Sequence, residues 1–146
     1  MKNTLASMAV AVIVSSIMGG TMAKAAPFTL LIFESQPELS KRADKGNDGA
    51  TYWGSYAQFA GEAGKAGILR GGAALHTVDD ARSVKLVDGT LNEGAGFDAE
   101  ATLRLSGYFQ IDVANASAAI AWASKIPAAA TGRIEIRAGY PAPGMN

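Results

Sequence analysis

Ser106-Gly107-Tyr108-Phe109-Gln110-Ile111-Asp112-Val113, followed by Asn115 and then Ala118-Ala119-Ile120-Ala121-Trp122-Ala123-Ser124-Lys125-Ile126-Pro127, is the stretch that decides the fold. Gly107 to Val113 is rich in aromatic and β-branched residues over the length of one strand. Asn115 is a good N-cap for a helix beginning just after it. Ala119, Trp122, Ala123 and Ile126 recur at helical spacing as one apolar stripe, which Pro127 stops. Beyond the helix, Arg133-Ile134-Glu135-Ile136-Arg137 alternates charge with isoleucine, the period of a half-buried strand. A strand, a crossover helix and a strand are thus read in immediate succession.

Working outward, the same succession recurs upstream. Phe28-Thr29-Leu30-Leu31-Ile32-Phe33 is a continuous apolar run that reads as a strand buried on both faces. Gln36 to Gly49 is polar and charged, with Pro37 and two glycines, and reads as a loop. Tyr52, Tyr56, Phe59, Ala60 and Ala63 then form the stripe of an amphipathic helix that ends at Gly64 and Gly67. Gly54 and Gly61 each weaken that helix by about 1 kcal/mol relative to alanine. Ile68 to Leu75 reads as a second strand, with Gly71-Gly72 marking a bulge or a close backbone approach. Ser83-Val84-Lys85-Leu86-Val87 alternates, and Asp88-Gly89 is a hairpin turn signal. From Asn92 to Ser106 the reading is open: Gly94 and Gly96 favour a loop, while Ala99 to Leu105 allows a helical turn.

The order strand, helix, strand, strand, strand, helix, strand predicts an α+β chain, a ferredoxin-like split βαβ sandwich with one added hairpin strand. Two helices cover one sheet face. The other face needs a cover of its own, and a homodimer supplies it.

The amino terminus reads as a targeting segment. Met1-Lys2-Asn3 is a short positive start, Leu5 to Met18 is apolar apart from its serines, and Ala23-Lys24-Ala25 places small residues where a signal peptidase reads them. A transmembrane anchor is the competing reading, but about 14 apolar residues fall short of the roughly 20 a bilayer requires. The expectation is a signal peptide over residues 1–26, cleaved before Ala26 or Pro27, then one domain over 27–140 and a tail over 141–146. With no cysteine in the chain, no lipid anchor follows the cleavage site and no disulfide supports the fold. No Arg-Arg pair precedes the apolar run, which points to the general secretory route and a periplasmic or secreted product. Without Lys2 and Lys24 the remainder holds 11 basic and 13 acidic side chains, a balance that argues against nucleic acid as a partner.

At this point the residues resemble a family. Phe28 to Glu34 looks like the opening strand of the YCII-related (DGPF-domain) proteins, and Gly72-Ala73-Ala74-Leu75-His76 is similar to their second strand. Ser106 to Val113 resembles their Gly-Gly-Tyr-Phe strand, Ala118 to Ala128 their second helix, and Arg133 to Arg137 their closing strand. The likeness spans about residues 28 to 138. It implies a dimeric α/β-barrel built of ferredoxin-like subunits. Members include acid/base enzymes, one dehydrochlorinase among them, and many proteins without an assigned role, so the fold selects no single function. Where the Asp-Gly-Pro-Phe motif is expected, this chain reads Glu93-Gly94-Ala95-Gly96-Phe97, and its first helix lacks the histidine that serves one branch as base.

Among residues able to carry chemistry, His76 is the only histidine and is placed at the end of the second strand. Its ordinary pKa suits a general base, with Glu93 or Asp98 as the orienting carboxylate if the loop folds back. The competing reading is a loop histidine facing water. Tyr108 either packs in the core or offers its hydroxyl to a ligand. Arg70 and Arg104 are candidate carboxylate binders, and Trp53 fits a dimer interface or a pocket wall. One histidine without cysteine argues against zinc. No nucleotide loop or nucleophile elbow is present, so no cofactor is expected. The residues leave three readings: an exported binding domain holding a small organic molecule between helix and sheet; a cofactor-free isomerase, lyase or dehydrochlorinase using His76; and a protein-interaction module.

Overall fold

The computed structural model describes residues 24–76, 80–96, 101–141 and 143. The expected leader over 1–26 falls outside these residues save for its last three.

Strand β1 (Ala26–Ser35) is followed by a short helix α1 (Gln36–Ser40), a 3-10 turn (Lys41–Ala43) and the long helix α2 (Asn47–Lys65). Then come β2 (Leu69–Ala74), β3 (Arg82–Val87), β4 (Thr90–Ala95), β5 (Leu103–Val113), α3 (Ala116–Ala123), α4 (Ala128–Thr131) and β6 (Arg133–Ala138). The main sheet has the order β2-β5-β1-β6, and each of its neighbouring pairs is antiparallel. The chain is α+β, with a topology compatible with a ferredoxin-like fold.

β1 alternates rather than being buried on both faces. Phe28, Leu30 and Ile32 are buried against Phe59 and Ala63 of α2 and Ala119 and Ala123 of α3, while Thr29, Leu31 and Phe33 are half-buried on the other face. An antiparallel sheet with helices on one side gives this pattern. The register sets Leu31 opposite Tyr108 and Phe33 opposite Leu105, which extends that second face across β5.

The turn residues act as read. Gly67 has φ +71°, the Ile68 N–H donates to the Ala63 carbonyl at 3.1 Å, and the Gly67 N–H donates to the Gly64 carbonyl at 2.9 Å. That pair of bonds is a Schellman cap. Asp88 (φ +50°) and Gly89 (φ +79°) turn β3 into β4 with both central residues in the left-handed region, as a type I′ hairpin requires. A Cβ on Gly72 would lie 2.6 Å from the Phe109 ring, so the close approach anticipated at Gly71-Gly72 is real, and the register slips between Leu69 and Gly71.

Three further expectations are corrected. The segment 36–49 is not a loop: Pro37 sits in the first turn of α1, where its missing N–H costs nothing, and buried Leu39 anchors the turn. The Asp44 carboxylate then accepts the Gly46 and Gly49 N–H groups at 3.1 and 3.0 Å and starts α2. The stretch from Asn92 is also extended, since Thr90–Ala95 pairs with β3 despite its glycine, and β5 begins at Leu103. Finally, the hairpin does not add a strand to the main sheet. β3 and β4 form a two-stranded sheet of their own, with Val84, Leu86 and Leu91 exposed.

Candidate functional site

Alternation along β1 carries one charged residue inward. Glu34 shares the phase of Phe28, Leu30 and Ile32 and is 1% exposed. A carboxylate so placed is stable only if its oxygens are fully engaged. Three donors meet it: the Tyr52 hydroxyl at 2.9 Å, the Tyr56 hydroxyl at 2.8 Å and Arg42 Nη2 at 3.1 Å. Tyr52 and Tyr56 lie four residues apart, which puts both phenols on one face of α2. Arg42 arrives from the 3-10 turn. It also donates through Nε to the Tyr52 hydroxyl at 2.8 Å, through Nη1 to the Leu75 carbonyl at 2.7 Å and through Nη2 to the Ser106 carbonyl at 2.8 Å.

The Ser106 carbonyl has a specific origin. β1 and β5 slip register between Ile32 and Phe33, so Ser106 is the extra residue of a bulge. Its hydroxyl donates to the Ile32 carbonyl at 3.1 Å. The guanidinium thus joins β1, α2, the end of β2 and the bulge of β5.

Burial, then the bond from Arg42 acting the other way, then the carboxylate of Glu34 together set the Tyr52 phenol, which is pushed up from 10.0 to about 12. Burial and the bond to Glu34 push Tyr56 up as well. Both phenols keep their protons at neutral pH and act as donors. The raised pKa values make the protonated tyrosines a source of stability that is complete below the unfolded-state value and lost as pH rises through the folded-state value. Stability measured in urea is expected to fall between pH 10 and about 12, with tyrosinate absorbance rising in the same window. In Tyr52→Phe that part of the pH dependence is expected to shrink.

Beside the network lies a cavity of about 170 Å³ between α2 and the sheet. Tyr52, Trp53 and Tyr56 form the helix wall; Gly72-Ala73-Ala74 and Ser106 to Phe109 form the sheet wall; Ile32 and Arg42 complete the lining. Its size is close to the roughly 150 Å³ that accommodates a benzene ring in a protein core. Among the described residues that line it there is no histidine, aspartate or glutamate. Compared with protein-family models and with curated proteins, the chain has no match.

The residues expected from sequence are dispersed. His76 follows β2 with its side chain 92% exposed, and its Nδ1 stands 3.2 Å from Asp80 Oδ2. It lines a groove with Ala43 and Leu75 that shares Arg42, Trp53 and Ala74 with the cavity. Its carboxylate neighbour is Asp80, not Glu93: Glu93 is exposed on β4, opposite Val84 in the hairpin sheet. Asp98 lies outside the described residues. Arg70 is exposed and bonds Asp112 at 2.7 Å and the Gly67 carbonyl at 3.0 Å, which clamps β2 to β5 away from the cavity. Arg104 stands opposite Glu34 in the β1–β5 register.

Tyr108 is half-buried, but Phe109 and Ile111, which share the opposite phase of the strand, face the helices. The Tyr108 ring therefore points to the second sheet face, and the residue borders the cavity through its backbone. Trp53 does line the cavity, with its ring edge-on to Tyr52 at 5.1 Å.

Sequence reasoning passed over Glu34 and Arg42. A signal existed for Glu34: it continues the inward phase of β1 after three apolar residues, where a charge demands partners. For Arg42 there was none, because it sits in a stretch whose composition reads as solvated.

Proposed function

We propose that this protein is a YCII-like binding domain that holds one small organic molecule in the cavity between α2 and the sheet. The observation that carries the reading is a ring-sized cavity with aromatic and small-residue walls and, among the described residues, no acid or base free to act in its lining. Glu34, the carboxylate bonded to three of its lining residues, has its oxygens occupied by two phenols and a guanidinium. Such a carboxylate is structural rather than a proton acceptor. The resemblance of residues 28 to 138 to the YCII-related proteins supports the same reading, and the leader read over residues 1–26 supports a location outside the cytoplasm.

A thermal-shift screen of residues 27–146 against small aromatic metabolites tests it. A binder is expected to stabilise the wild type and His76→Ala alike. A second reading, acid/base catalysis by His76, is favoured by its 3.2 Å approach to Asp80 beside a groove that adjoins the cavity. In that case His76→Ala abolishes turnover of the hit while binding survives. No hit from a folded protein counts against both.

The functional unit in this proposal is a homodimer of the dimeric α/β-barrel type. Leu31, Phe33, Leu105 and Tyr108 share the sheet face opposite α2 and α3, and a second copy would bury it. Leu105, 40% exposed, provides the test. Light scattering of the wild type is expected to give twice the monomer mass and Leu105→Asp the monomer mass. A monomeric wild type at micromolar concentration removes this part of the proposal.

A further inference from the structure

We infer that the cavity selects an uncharged, planar ligand of about one ring and discriminates against carboxylates of the same shape. This rests on the cavity being the binding site. An arginine at the end of an aromatic pocket is ordinarily read as an anchor for an anionic group. Here its charge is already matched by Glu34, 3.1 Å away. Four of its five N–H donors are directed to Glu34, the Tyr52 hydroxyl and the carbonyls of Leu75 and Ser106.

The phenols add nothing for an anion, since both hydroxyl protons point at Glu34. The Ser106 hydroxyl is likewise turned away, to the Ile32 carbonyl. Beyond a single Nη1 proton of Arg42, what these groups leave for a ligand is aromatic surface and oxygen lone pairs. A carboxylate entering such a space gives up water without gaining equivalent donors.

The shape follows from the opposite wall. Gly72 and Gly107 leave two side-chain-free positions on the β2–β5 surface beside the Phe109 ring: a Cβ on either would come within 2.7 Å or 2.8 Å of the neighbouring strand's carbonyl oxygen. A wall of small residues beside that ring, across from Trp53 and Tyr56 of α2, suits a flat molecule. Ala74, opposite Gly107 at the edge of this wall, borders both the cavity and the outer groove and is exposed, so a larger side chain there does not enter the core.

Benzamide and benzoate have one shape and differ in charge, so they make the test. Each is titrated at pH 7.5 into the wild type and Ala74→Leu, following the indole N–H resonances of Trp53 and Trp122. Benzamide is expected to move the Trp53 signal and leave Trp122 in place, with benzoate at least about ten-fold weaker. Ala74→Leu, checked for its fold by circular dichroism, is expected to lose the effect. Benzoate binding as tightly as benzamide, with Trp53 shifting and Ala74→Leu insensitive to both, overturns the inference and leaves the binding reading standing. If neither compound nor phenol moves Trp53, the cavity is not the site and both fall. Unchanged binding in Ala74→Leu overturns both in the same way.

Discussion

Replacing Glu34 by alanine is expected to lower the stability of the fold by about 3–5 kcal/mol, the range for breaking a buried ion pair from one side. The loss comes chiefly from what is left behind. Arg42, with only 14% of its side chain exposed, keeps its charge without its carboxylate. The phenols of Tyr52 and Tyr56 lose their acceptor in a buried site. Against a total of about 5–15 kcal/mol for a domain of ordinary stability, that is a large fraction. Urea unfolding followed by circular dichroism measures it. Glu34→Gln, which keeps the shape and one acceptor oxygen, is expected to lose less. The double variant Glu34→Gln/Arg42→Met is expected to be less unstable than the sum of its single changes, because no uncompensated charge remains. Strict additivity would mean that the pair does not act as a unit.

The second large effect is expected at Gly49, where alanine should destabilise by about 2–4 kcal/mol through overpacking and a displaced cap. A Cβ at this position would sit 2.1 Å from the Asp44 carbonyl oxygen and 3.1 Å from that of Lys41. Backbone atoms cannot step aside as a side-chain end can. The turn that carries Arg42 must shift, so the loss is expected to be accompanied by weakened ligand binding in the cavity. Gly61 in the same helix supplies the contrast: it is exposed and its Cβ would meet nothing within 4 Å. Gly61→Ala is expected to stabilise by about 0.5–1 kcal/mol through helix propensity alone. Equal effects at the two glycines would refute the packing argument for Gly49.

The network around Glu34 separates what the sequence carries from what the fold adds. The helix stripe of Tyr52, Tyr56, Phe59 and Ala63 was legible because residues three and four apart share a face whatever lies opposite. Yet the stripe could not say that two of its members would spend their hydroxyls on a carboxylate. Tyr108 shows the same limit on a strand. Its alternation with Phe109 was in the sequence, but which phase faced the helices was fixed by Phe59 and Ile111 packing in one core. His76, Glu93 and Asp98 were grouped on the assumption that a loop folds back. Instead the hairpin turns Glu93 outward in a separate two-stranded sheet.

By itself the sequence determined the order of the main elements, the turn at Asp88-Gly89, the cap at Gly67, the N-cap at Asn115 and the close approach at Gly72. Each depends on backbone sterics or on periodicity within a few residues, and such preferences are carried by the residues concerned. Only the tertiary structure decided that Glu34 is buried, that Arg42 is its counter-charge, and that a cavity stands beside them. The bonds of Arg42 reach partners 8, 10, 33 and 64 residues away in the chain. No local pattern encodes contacts of that span, because they exist only after the sheet has brought the end of β2 and the bulge of β5 together under α2.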